Sequence, residues 1–160
     1  MKAGVSIRQA GVSEMDCLMR WRMEVLHVVF GIPDEEPMTA LYAENEAYYR
    51  RALADGSHIA CFAEQNGVII GCGGICLYSE MPSPDNPSGR CAYLMNIYTR
   101  EAFRSAGVGR KTVAWLIGKA REQEITKIYL ESTDGARSMY EGLGFVPIGN
   151  YLKLGDGGAQ

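Results

Sequence analysis

No apolar run in the chain approaches the 18 residues that mark a membrane-spanning helix, so no membrane partner is expected. There is no C-x-x-C pair either. The five cysteines, Cys17, Cys61, Cys72, Cys76 and Cys91, are odd in number and mostly sit in apolar segments, which reads as small buried hydrophobes and not as a disulfide framework. His27 and His58 are too far apart in sequence for ligand spacing, and no metal is expected. Net positive charge is lacking: at −3 the chain is a poor match for nucleic acid. Repeats, low-complexity blocks and linkers are absent too, and 160 residues suit one domain, taken as 1–154 with a disordered tail at 155–160. The start runs directly into a strand-like segment without a signal-peptide pattern, so a cytoplasmic location is expected.

The most informative absence is local. From Ala102 to Arg121 there is not one Asp or Glu, while Arg104, Arg110 and Lys111 crowd the start of a helix that also holds Gly107 and Gly109. A first helical turn carries unpaired N–H groups and about half a positive charge, so it ordinarily collects carboxylates. The inversion here points to a polyanionic ligand, bound by backbone N–H groups where glycines let phosphate oxygens approach. A Walker-type loop needs glycines where Ser105 and Arg110 stand, and a dinucleotide fingerprint needs a third glycine where Thr112 stands. Both readings fail on spacing.

The rest of the chain supplies a frame. Residues 5–8 alternate as a strand, and Ser13 with Asp16 resembles a capping box. Met15, Leu18, Met19, Val25, Leu26 and Val29 form a helical stripe with Arg22 at its centre. That arginine is either a structural cation or one facing a cleft. The loop with Asp34, Glu35 and Glu36 leads to a second helix over 38–54. Strands over 58–64 and 68–78 flank Asn66-Gly67, the strongest short hairpin signal, and Gly71, Gly73 and Gly74 mark a bulge or a close approach. Residues 80–89, with three prolines, form a loop; a strand over 91–99, the helix over 108–122, a strand over 127–132, a short helix and a final strand over 150–154 follow. This order indicates an α/β (α+β) domain: a mixed sheet with helices on both faces.

Arg104-Ser105-Ala106-Gly107-Val108-Gly109, between strand and helix, resembles the R/Q-x-x-G-x-G/A loop of the GNAT N-acetyltransferases. Ala136 to Phe145 resembles that family's A-x-x-x-Y-x-x-x-G-F ending, in the same register. The resemblance implies a GNAT-like, mostly antiparallel mixed sheet and acetyl-CoA as cosubstrate. It implies that Arg104, Ser105, Ala106, Gly107, Val108, Gly109 and Arg110 hold the pyrophosphate. Ile97, Tyr98, Thr99 and Thr133 would line the pantetheine arm, Thr133 standing where the family has asparagine. Tyr140 matches the tyrosine that protonates the leaving thiolate; from the pattern alone it is equally a core residue. No carboxylate stands at 94–97, which leaves Glu131 or Glu24 as candidates for the general base, beside a water chain or an amine that arrives neutral. Arg22, Asp34 and Glu35 would border the acceptor, a small-molecule or peptide amine, and a homodimer is compatible with the chain. The rival readings are a non-catalytic acetyl-CoA sensor of the same fold and a nucleotide-binding protein.

Overall fold

The computed structural model describes residues 4–158. Among them, five strands form one sheet in the order β1 (Ser6–Ala10), β2 (His58–Gln65), β3 (Val68–Ser79), β4 (Arg90–Thr99), β5 (Lys127–Tyr129). All neighbours are antiparallel except β4 and β5, which are joined by a helical crossover, α3 (Val108–Glu122). Asn66 and Gly67 both take positive φ, 53° and 76°, as a two-residue hairpin turn requires, and this fixes the β2–β3 register at Gln65 opposite Val68.

β2 is apolar without a break from Ile59 to Ala63 because both of its faces are covered there. Ala60 and Phe62 pack with Met15, Leu18, Met19, Trp21 and Val25 of α1 (Met15–Phe30) and Tyr49 of α2 (Thr39–Asp55). Ile59 and Cys61 face the other way, against Val113, Leu116 and Ala120 of α3 and Tyr140 of α4 (Arg137–Gly142). A Cβ at Gly73 would stand 2.7 Å from the Thr112 methyl and 3.1 Å from Leu116, so this glycine lets α3 seat on the sheet. The expected mixed sheet with helices on both faces is the architecture observed.

Four local expectations are corrected. Ser13 caps nothing: a 3₁₀ turn, Val12–Glu14, precedes α1, and Glu14 is drawn into an ion pair with Arg8 at 2.9 Å. Val29 is 53% exposed, because the apolar stripe leaves the core before α1 ends at Phe30. β5 stops at Tyr129 instead of reaching residue 132. No strand forms over 150–154; Leu152 is fully exposed, and the segment touches the sheet through Tyr151, whose ring lies 6.3 Å from that of Tyr129. Gly155–Gly158, taken as the start of a disordered tail, are exposed about a turn, and residues 159–160 lie outside the described residues, as do 1–3.

Candidate active site

β4 has a partner on its β5 side only over Cys91–Tyr93. Beyond Tyr93 the two strands part, and the backbone groups on that side of β4, through Ile97, Tyr98 and Thr99, have no ladder to join. Ser132 and Thr133 continue from β5 on the far side of this gap, both exposed, with Thr133 preceding the 3₁₀ turn Asp134–Ala136.

The glycine loop closes one end of the gap. Ser105 and Gly107 take φ of 64° and 77°, reversing the chain so that α3 starts at Val108, which is buried and anchors the helix beside Ala63 and Ile70. No side chain caps this start and no acid occupies its first turn. Arg104 Nε donates to the Thr99 carbonyl at 3.0 Å, which ties the loop to the end of β4. A Cβ on Gly107 would meet nothing within 4 Å, leaving open space above the free N–H groups, whereas one on Gly109 would press the Met139 sulfur at 3.2 Å. Gly107 thus serves the turn and the approach of a ligand; Gly109 serves the packing of α4 on α3. Ala106 and Lys111 are exposed, and Arg110 reaches across to the Gly142 carbonyl at 3.3 Å. The residues present fit a pyrophosphate: bare N–H groups, a glycine with clear space, and three cations.

Tyr140 is buried, its ring edge-on to Phe145 at 5.8 Å. Its hydroxyl makes no hydrogen bond among the described residues yet is not sealed from solvent, and burial raises its pKa above the ordinary phenol value.

On the opposite face of the sheet lies a cavity of about 200 Å³ between α1, α2 and β4. Its existence depends on an extra residue in β4: Gly74 pairs with Met95 but Cys72 with Tyr98. Asn96 absorbs the bulge at φ 61°, so Met95 and Asn96, which regular alternation would send to opposite faces, both line the cavity. Arg22 enters from α1, donating from Nε to Asn45 Oδ1 at 2.8 Å and from Nη1 to Asn96 Oδ1 at 2.9 Å. Tyr48 of α2 and His58 Nδ1 share a hydrogen bond at 2.8 Å, and the same hydroxyl is 3.1 Å from the Cys76 sulfur. Gly74 makes room for the imidazole, since a Cβ there would stand 2.7 Å from its Nε2. Burial first, then the Arg22 charge, pushes the His58 pKa down to about 4, so the ring is neutral near pH 7. Burial raises Cys76 above the usual thiol range and keeps it protonated.

The sequence-derived candidates are therefore divided among several places. Arg22 lines the cavity, whereas Asp34 and Glu35 are exposed on the 31–38 loop and do not. Glu131 is exposed past the end of β5, near Tyr93. Glu24 is committed to Arg100, which binds it through two nitrogens at 2.9 and 3.0 Å while stacking on Trp21. Asn45, Tyr48, His58 and Cys76 escaped sequence reasoning; an isolated Asn96 in an apolar strand was the available sign. A wider depression of about 370 Å³ by Asp55, Ser57 and Arg90 is open and gathers no reactive cluster. Among the described residues no His, Cys, Asp or Glu cluster could hold a metal, and no helix is long and apolar enough to cross a membrane.

A family model described as acetyltransferase (GNAT) family matches residues 19–145, a span that contains the cavity, the gap and both motifs. The chain belongs to the GNAT acetyltransferase family. It is thereby assigned to the acyltransferases. Its fold matches a crystal structure, solved with acetyl-CoA, of a predicted acetyltransferase from Clostridium acetobutylicum: 26% identity, 95% of this chain and 96% of that one, TM-score 0.84. A GCN5-related N-acetyltransferase from Ralstonia eutropha shares the fold at TM-score 0.78 and 21% identity over 96% of this chain and all of the other. Among curated proteins, mouse N-acetyltransferase 8B is 29% identical over 102 residues, 60% of this chain. The match spans 42% of that protein's length.

Proposed function

We propose that this GNAT-family chain transfers the acetyl group of acetyl-CoA directly to an acceptor amine, both substrates being bound together. The observation that carries the reading is the acid-free start of α3 opening onto the gap between β4 and β5. Bound acetyl-CoA supplies an acetyl group already activated as a thioester. Arg104, Arg110, Lys111 and the N–H groups after Gly107 hold the pyrophosphate, while Ile97, Tyr98 and Thr99 of β4, with Thr133 opposite, offer backbone and side-chain groups to the pantetheine arm. The acceptor nitrogen gains the acetyl group, the C–S bond breaks, and the Tyr140 hydroxyl gives its proton to the departing sulfur. The amine's own proton leaves to solvent at the mouth of the gap, where Glu131 stands exposed; among the described residues no carboxylate lines the cavity.

That same lack of a carboxylate favours a second reading, a module that binds acetyl-CoA without catalysis. Free-thiol release from acetyl-CoA, measured against a panel of primary amines, separates the two. Amine-dependent release supports transfer. Coenzyme A binding by calorimetry with no release for any amine leaves the sensor.

A further inference from the structure

We propose that the acceptor carries a carboxylate that docks on the Arg22 guanidinium, so that the preferred substrates are small amino acids. The inference rests on the transferase reading above and names the substrate class of its acceptor cavity. A guanidinium has five N–H donors in a planar fork, and here two are taken, both by neutral side-chain amides, Asn45 and Asn96. Arg22 joins no ion pair among the described residues, unlike Arg8, Arg100 and Arg137, each of which has its glutamate. A partly buried cation without a counter-charge is unfavourable, and the two amides orient it without neutralising it. They come from different elements, α2 and a bulge in β4, so the fork is fixed in space before any ligand arrives.

The rest of the lining carries no compensating charge. His58, Tyr48, Tyr49 and Cys76 are all neutral near pH 7, since burial lowers the imidazole and raises the two phenols and the thiol. The cavity therefore presents a single positive charge in surroundings of low polarity. Such a site repels polycationic amines and receives one planar anion in the geometry a guanidinium prefers. Its volume, about 200 Å³, suits an acceptor of amino-acid size. The acidic 31–38 loop, which would attract cationic amines, does not line it. β4 borders both the cavity and the gap, so an amine beside a carboxylate anchored at Arg22 would be turned toward the acetyl group.

The test compares matched pairs, L-alanine, L-leucine and L-phenylalanine against their carboxamides, by thiol release from acetyl-CoA. The amide's amine is less basic and more of it is neutral near pH 7, so intrinsic reactivity favours the amide. A preference for the acid would thus report recognition. One charge-assisted contact is worth about 10- to 100-fold in kcat/KM, set against the amide's intrinsic advantage. Arg22→Gln should therefore lower the acid-to-amide ratio of kcat/KM by about that factor while coenzyme A affinity holds, and Arg22→Lys should retain part of the preference. An acid-to-amide ratio that Arg22→Gln leaves unchanged would overturn the carboxylate site and leave the transferase reading intact. If no amine releases thiol, the transferase reading fails, and binding decides the site alone. With coenzyme A present, L-leucine but not L-leucinamide should raise the melting temperature of the parent and not of Arg22→Gln; no such difference also overturns the site.

Discussion

At the scale of single residues the site is built from groups that burial keeps in their neutral forms. Tyr140 must be protonated to act as the acid, and its raised pKa extends that condition to higher pH than an ordinary phenol allows. Tyr140→Phe keeps the ring and its contact with Phe145 while deleting the hydroxyl. Turnover should fall by roughly 10²- to 10⁴-fold with coenzyme A affinity little changed, and the alkaline limb of the pH–rate profile should move or vanish. Single-turnover kinetics with acetyl-CoA and an accepted amine measure this; a parent-like rate, with chemistry shown to be limiting, makes Tyr140 a packing residue. As a candidate it was legible because it stands at a fixed distance from Gly144-Phe145. The cavity residues were not, since Tyr48, His58 and Asn96 are distant in sequence and no periodicity joins them.

At the scale of elements, α3 does two jobs that can be tested apart. Its start depends on Gly107 at φ 77°, where a β-branched side chain is strained whatever the space around it. Gly107→Val should cost on the order of 1–3 kcal/mol of stability and also weaken coenzyme A binding, since its branches occupy the space over the free N–H groups. Calorimetric affinity equal to the parent's in a folded variant would remove the pyrophosphate from this turn. The body of α3 depends on Gly73 instead. There a valine would drive into Thr112, Ile97 and Leu116, all within about 3.1 Å of its Cβ, and should cost on the order of 1–3 kcal/mol, a melting temperature lower by several degrees. Because Ile97 also lies on β4, the gap should deform and acetyl-CoA affinity should drop with stability. An unchanged melting temperature would mean that α3 does not need this close seat.

At the scale of the whole molecule, stability should depend on pH through the cavity. Folded His58 holds its proton only below about 4, against 6.5 for the unfolded ring, so between these values the unfolded chain binds more protons. The contribution is complete above about pH 6.5 and is lost as pH falls through the window. At about 1.4 kcal/mol per unit it amounts to something on the order of 3 kcal/mol. Denaturant titrations from pH 7 to 4 should show this decline in the parent and a shallower one in His58→Gln; parallel curves would mean that His58 is not buried as a neutral ring. Exposed ion pairs such as Arg137–Glu141 should add little to either curve.

The sequence by itself determined the family, the glycine loop, the hairpin and the helical faces, because each is encoded within a few consecutive residues: spacing, turn chemistry and periodicity need no distant partner. It did not determine where strands end or which side chains meet. β5 stops at Tyr129 and residues 150–154 form no strand because pairing depends on what lies alongside, and β4 and β5 diverge past Tyr93. The cavity likewise exists only in the fold. One extra residue in β4 turns Asn96 toward Arg22, 74 positions away, and α2 brings Asn45 to the same guanidinium. The sequence shows an arginine at the centre of an apolar stripe; only the tertiary structure decides that it is held by two amides and, among the described residues, pairs with no carboxylate, because counter-charges are a property of neighbours in space.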